Sequence, residues 1–194
     1  MLQELHKLDQ ELTLLINSWD STVSDRIWQI FSDIPVWIPL YLCIILFIMH
    51  RLGWKKGLMV IAAAALTFGI CDQLSNLAKE LTCRVRPLND SYMLEKGLNV
   101  LEKGSLSFSF FSAHAANAFG LATCTYIGLR DNSGKSFRAY AAGMYTWAFL
   151  VALSRVFVGK HYLGDVAAGS LIGLLAGALT ACIAGKLISR FNIR

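Results

Sequence analysis

Two histidines and a set of cations stand out against an otherwise apolar chain. In S-R-V-F-V-G-K-H-Y-L-G-D, Ser154 to Asp165, a short polar hinge separates two long apolar runs and carries Arg155, Lys160, His161 and Asp165. Such groups are costly beside hydrocarbon, so something must use them. His161 and Asp165 are four residues apart, which places them on one face of a helix. A carboxylate on one ring nitrogen fixes the tautomer and leaves the other nitrogen free as a nucleophile. A second cluster, K-E-L-T-C-R-V-R-P, supplies Lys79, Arg86 and Pro87, and a third, F-S-A-H, supplies Ser112, Ala113 and His114. His114 could protonate a leaving oxygen and then activate water.

Lys79, Arg86 and Arg155 repel one another unless an anion with several oxygens neutralises them. Arginine's planar fork suits phosphate, and lysine adds a mobile point charge. Ser112 precedes a helix expected to begin near Ala113, so its hydroxyl and the first free backbone N–H groups form an anion-binding end. Singly, each residue has an ordinary explanation. Lys79 could snorkel, Arg86 could touch lipid headgroups passively, Arg155 could pair with a carboxylate, and a lone histidine could be merely hydrogen-bonded. Together they point to chemistry on a tetrahedral phosphate.

The elements that must position these groups are apolar helices. Of 194 residues, 55% are hydrophobic and 16% charged, with a mean hydropathy of +0.50. That surplus over a soluble domain implies lipid as the solvent for much of the surface. Five uncharged runs lie between Asp33 and His50, Lys56 and Asp72, His114 and Arg130, Arg138 and Arg155, and Asp165 and Lys186; they hold 16, 15, 15, 16 and 20 residues. A run of 15 covers about 22 Å, short of a hydrocarbon core of about 30 Å. Each helix must therefore extend past its flanking polar residues, the same residues that carry the chemistry.

The expected fold is all-α, a polytopic membrane bundle forming one domain. Five transmembrane helices are expected over 26–50, 54–79, 112–130, 138–156 and 163–187, with a loop over 80–111. Residues 1–25 lack the apolar core and cleavage site of a signal peptide. Leu5, Leu8, Leu12 and Leu15 instead recur at spacings of three and four, which predicts an amphipathic helix at the membrane interface; a partner-binding or plain surface helix is the alternative.

Basic residues in 51–56, 130–138 and the tail from 186 fall on one side of a five-span chain, the cytoplasmic side by the positive-inside rule. Trp28 and Trp54 near segment ends fit an aromatic belt. The net charge of +5 then needs no nucleic acid. The five cysteines show no metal-ligand spacing and read as small core residues.

The three clusters, in this order, resemble the signature of the phosphatidic acid phosphatase type 2 superfamily. Its first motif, lysine, six residues, arginine-proline, matches Lys79, Arg86 and Pro87. Its third, serine-arginine, five residues, histidine, three residues, aspartate, matches Ser154, Arg155, His161 and Asp165. The middle motif, usually proline-serine-glycine-histidine, is Phe111-Ser112-Ala113-His114 here. Losing proline and glycine removes rigidity and conformational tolerance, which bears on substrate fit more than on catalysis, since an alanine N–H can still donate to phosphate.

The resemblance implies a phosphatase with no metal and no cofactor. In it His161 attacks phosphorus, giving a phosphohistidine, Asp165 orients His161, and His114 protonates the leaving group. Lys79, Arg86, Ser112, Ala113 and Arg155 hold the phosphoryl oxygens. The expected partners are a membrane lipid substrate and the bilayer, and the expected place is a bacterial inner membrane with the site on the periplasmic side. Lipid A is the first choice of substrate, then undecaprenyl diphosphate, then phosphatidylglycerol phosphate. A lipid phosphotransferase or a non-catalytic lipid-binding protein would use the same cleft; a vanadium-dependent peroxidase shares the motifs but not the membrane spans.

Three further features carry expectations. Asp72, Asn76 and Lys79 form an i, i+4, i+7 stripe expected to face the bundle interior, Asp72 in a structural role. Gly169, Gly173 and Gly177 permit close helix packing, within the chain or between copies. The loop repeats L-E-K-G at 94–97 and 101–104 and reads as an interfacial lid or a solvated connector, while Lys160 reads as a headgroup contact.

Overall fold

The computed structural model describes residues 2–102, 104, 107–133 and 136–193. Lys103, Lys135 and Arg194, counted above in the second L-E-K-G copy, a basic loop and the basic tail, lie outside the described residues. The described chain is all-helical, with no strand among the described residues: α1 (Leu2–Asn17), α2 (Thr22–Ser32), α3 (Ile38–Thr82), α4 (Ser91–Glu95), α5 (Ala113–Ser133), α6 (Arg138–Phe157) and α7 (Leu163–Arg190).

α3 is two antiparallel arms. Gly53, at φ 77° and ψ 168°, breaks the helix, a conformation that favours glycine. The arms fold against each other, so that Ile44 and Ile48 line a cavity with Ile61 and Ala64. A Cβ on Gly57 would come within 3.2 Å of the Met49 backbone.

α5 runs through the centre of the bundle, between α3, α6 and α7. Its small residues allow this: Ala115, Ala116, Ala118 and Ala122 are buried. The α7 glycines meet it directly. A Cβ on Gly169, Gly173 or Gly177 would lie 2.4, 2.1 or 2.4 Å from the carbonyl oxygen of Ser112, Ala116 or Gly120. The glycine stripe thus packs within the chain. The outer surface is apolar: Leu171, Leu175, Leu179 and Ile183 of α7 and Leu58, Leu66 and Leu77 of α3 are exposed. Contiguous exposed hydrocarbon on this scale fits lipid as its solvent. Two stretches, within Ile34–Glu95 and Leu163–Arg190, are long and apolar enough to cross a membrane by length and composition.

Three expected extents need correction. The helix expected over 26–50 is interrupted: α2 stops at Ser32, Asp33 is extended, and a 3-10 turn over Ile34–Trp37 precedes α3. Pro35 disfavours helix at the residue before it and removes a donor. The segment expected over 1–25 is two helices, parted after Asn17 and restarted by a Ser21–Ser24 capping box. The loop from 80 is neither wholly irregular nor a loose connector. α3 continues to Thr82, α4 lies within the loop, and Asp90 accepts hydrogen bonds from Gln10 and Tyr162.

The helix ends sort into two groups. Lys56, Asp131, Lys186 and Arg190 line one cavity, so the three basic segments meet at one end of the bundle. The ends carrying Lys79, His114, Arg155 and His161 meet at the other.

Candidate active site

His161 sits in the short turn between α6 and α7, 3% exposed, with Asp165 fully buried in the first turn of α7. The His161 Nδ1 lies 3.6 Å from Asp165 Oδ2, longer than a hydrogen bond, and has no partner among the described residues. Its Nε2 lies 3.3 Å from Arg86 Nη1. A guanidinium can only donate, so Nε2 is the acceptor and the proton of a neutral ring belongs on Nδ1, facing Asp165. Burial, with Arg86 and Arg155 nearby, pushes the imidazole down to about 4 against the opposing pull of Asp165. His161 is therefore neutral at pH 7, the state a nucleophile needs.

Arg86 follows the α3 terminus and is nearly buried. Its Nε and Nη2 donate to the backbone oxygen and hydroxyl of Ser107, both at 2.8 Å, and Nη1 donates to the Lys160 carbonyl at 3.3 Å. Arg155, at the end of α6, is 3% exposed. Its Nη1 donates to the Ser32 hydroxyl and stands 3.5 Å from Glu102, while its Nε has no acceptor among the described residues. A buried charged donor left unpaired is costly, and an anion would satisfy it. The Lys79 ammonium makes no hydrogen bond among the described residues but interacts electrostatically with Arg86, Arg155 and Asp165.

Ser112 is fully buried immediately before α5, where its Oγ accepts from the Ala115 N–H at 3.5 Å. Its own N–H is committed to the Asp165 carbonyl at 3.1 Å, so it is not one of the free donors expected there. The N–H groups of Ala113 and His114 have no acceptor among the described residues. Where the family carries proline, Phe111 is buried and its carbonyl accepts the Ser75 hydroxyl at 3.0 Å. Packing and hydrogen bonds thus hold a segment that lacks the proline ring.

His114 is half-buried and within electrostatic reach of Arg155, His161, Lys160 and Lys79. It stands where two cavities adjoin. One, of about 460 Å³, is lined by Ser32, Glu102, Arg155 and Lys160 with His114. The other, of about 320 Å³, continues from His114 past Asp72 and Asn117 to Phe68, Trp37 and Trp147. A third, of about 230 Å³ and lined mainly by aliphatic side chains, shares Tyr41 and Phe68 with it.

All eight expected site residues thus gather at one end of the bundle, His161 being buried and outside the lining of the charged cavity. Three participants were not anticipated. Glu102 pairs with Lys160 at 2.5 Å and faces Arg155, and these cations with the Ser32 hydroxyl outweigh burial and hold its carboxyl below the usual range. Lys160, read from sequence as a headgroup contact, is tied to that carboxylate. Arg84 and Ser109 both reach Asp165. Of the stripe Asp72, Asn76 and Lys79, the first two are exposed, the inward positions being Cys71 and Ser75, while Lys79 is half-buried and reaches the site; Asp72 accepts from Asn117 of α5 at 2.8 Å, the structural role expected of it.

The family model of the PAP2 superfamily matches residues 57–189, which include the three clusters. A lipid A 4'-phosphatase of Bacteroides thetaiotaomicron is 32% identical over 99% of this chain and 84% of its own length. A lipid A 4'-phosphatase of Porphyromonas gingivalis is 24% identical over 91% of this chain and 72% of its own. Among solved structures, a transmembrane PAP2-type phosphatidylglycerolphosphate phosphatase of Bacillus subtilis superposes with a TM-score of 0.74 at 23% identity, covering 94% of this chain and 87% of that one. Aquifex aeolicus LpxE superposes at 0.62 and 26% identity, covering 88% of this chain and 92% of that one. With the family model matching most of the sequence and a relative at 32% identity over nearly all of it, the chain belongs to the PAP2 superfamily.

Proposed function

We propose that this lipid phosphatase removes a phosphate from lipid A at the periplasmic face of a bacterial inner membrane, through a phosphohistidine on His161 and without a metal. The observation that carries the reading is the buried His161, with Nδ1 turned to Asp165 and Nε2 turned to Arg86. The choice of lipid A rests on the two curated relatives of that activity, which this chain matches over most of its length.

The chemistry follows from the placement. Lys79, Arg86, Arg155 and the N–H groups at the start of α5 hold the non-reacting oxygens. The Nε2 lone pair of His161 forms a bond to phosphorus as the bond to the sugar oxygen breaks, and His114 gives that oxygen its proton. The Nδ1 proton stays on the ring, where Asp165 stabilises the cationic phosphohistidine. His114, now a base, takes a proton from water. The resulting hydroxide attacks phosphorus, the N–P bond breaks, and inorganic phosphate leaves. The cavity that runs from His114 to Phe68, Trp37 and Trp147, with the aliphatic one beside it, suits acyl chains that stay in the bilayer while the headgroup reaches the cations.

Five spans and the interfacial α1 belong to the same reading: two arms of α3, then α5, α6 and α7. The test is a brief pulse of the detergent-purified protein with lipid A carrying labelled phosphate, then denaturation. The expected result is protein-bound label, stable to base and labile to acid, absent from His161→Ala. Label that persists in His161→Ala would sink the proposed intermediate.

A further inference from the structure

The catalytic dyad is braced by residues outside the family signature, among them Arg84 and, behind it, Asp9 of the N-terminal helix. Asp165 must present one oxygen to His161, and a carboxylate held at one oxygen only can rotate. Its Oδ2 accepts from the Ser109 hydroxyl and the Tyr162 N–H and faces His161 Nδ1; its Oδ1 accepts from Arg84 Nη1 at 2.5 Å. Arg84 is in turn held by three further groups. Its Nη2 donates to Asp9 Oδ2 at 2.7 Å and lies 3.3 Å from His6 Nδ1, and its guanidinium lies 4.0 Å from the centre of the Tyr162 ring.

Asp9 and Thr13 belong to α1, and both reach the start of α7. Asp9 Oδ1 accepts from the Gly164 N–H at 2.8 Å and Thr13 Oγ1 from the Leu163 N–H at 3.0 Å. Gly164 leaves the room: a Cβ there would stand 2.7 Å from Asp9 Oδ2. On the other face of α1, Leu5, Leu8, Leu12 and Leu15 are exposed. The amphipathic helix therefore turns its polar side onto the catalytic turn and its apolar side outward.

We propose that Arg84 is a positioning residue for the phosphatase reaction, locking the Asp165 carboxylate toward His161, and that Asp9 of α1 holds Arg84 in place. This rests on the reading of His161 as nucleophile. The charge balance explains why two carboxylates share one guanidinium. With Asp165 alone, Arg84 would neutralise the charge that must stabilise phosphohistidine; Asp9 takes part of the cation and leaves Asp165 able to do so. Only a planar fork can reach both acids from separate nitrogens, so lysine is a partial substitute.

The test measures kcat and KM for phosphate release from lipid A by purified wild type, Arg84→Gln, Arg84→Lys, Asp9→Asn and Asp165→Asn, singly and paired with Asp165→Asn. The expected result for Arg84→Gln is a kcat lower by about tenfold or more with KM within about threefold, and Arg84→Lys in between. Beside Asp165→Asn the Arg84→Gln change should cost less than about twofold, because its effect runs through that carboxylate. An unchanged kcat in Arg84→Gln, or losses that multiply in the double variant, overturns the proposal. Should Arg84→Gln not fold, Asp9→Asn keeps both Arg84 and Asp165 and carries the same comparison, with an unchanged kcat as the overturning result. Release that survives His161→Ala strikes the underlying reading instead, and this inference falls with it.

Discussion

Arg86 Nη1 and His161 Nε2 stand 3.3 Å apart, so the guanidinium of the first motif covers the nitrogen of the third that is proposed as the nucleophile. In the proposed mechanism, substrate draws Arg86 onto a phosphate oxygen and uncovers that lone pair. Until then the cation and burial keep the ring neutral.

The sign of the pH effect follows. Burial and the Arg86 and Arg155 charges lower the His161 value to about 4, and Asp165 opposes them. A neutral nucleophile is thus retained as pH falls through 6.5, and the acid limb of kcat/KM that His161 sets lies near pH 4. Arg86→Gln removes one of the lowering charges, so that limb should move upward, toward 6.5, on a much reduced rate. A pH profile of both proteins checks this; a limb that stays or moves down in the variant contradicts it.

Glu102 occupies cations that a phosphate would use, at 2.5 Å from Lys160 and 3.5 Å from Arg155. Substrate phosphate must displace or share with it. Glu102→Gln should lower KM for lipid A by about fivefold, the equivalent of a partly exposed ion pair of about 1 kcal/mol. Steady-state kinetics at fixed detergent suffice, and a raised KM would show that Glu102 supports binding instead.

Close packing of α7 on α5 predicts a contrast between two glycines of one helix. A Cβ on Gly173 meets backbone, the Ala116 carbonyl, at 2.1 Å, whereas one on Gly185 meets nothing within 4 Å. Gly173→Ala should cost about 2 kcal/mol or more, and Gly185→Ala should be neutral or slightly stabilising. Thermal unfolding in detergent compares them; equal midpoints would contradict the packing.

What could be read from the residue order followed the physics of each signal. The three charged clusters were legible because ionisable groups beside apolar runs have few explanations, and their gathering needed only that helix ends share a face of the bundle. The α7 glycines announced a close approach but not its partner. The break at Asp33 was written in I-P-V-W-I-P, yet an uncharged run hides a proline from a count of charges. The inward facing expected of Asp72 and Asn76 was off by one residue, since Cys71 and Ser75 are the buried positions and helical phase is set by what packs against the helix. Glu102, Arg84 and Asp9 were not legible as site residues. They reach the catalytic groups from a loop and from a helix about 150 residues away in sequence, placements that only tertiary packing fixes.

The most direct test of the central claim is phosphate release from lipid A by detergent-purified protein with EDTA present, beside His161→Ala and with undecaprenyl diphosphate and phosphatidylglycerol phosphate as comparison substrates. The predicted result is release from lipid A that withstands EDTA, exceeds release from the other lipids, and is lost in His161→Ala. Release abolished by EDTA, or equal in His161→Ala, would contradict a metal-independent histidine phosphatase, and preference for another lipid would contradict the assigned substrate.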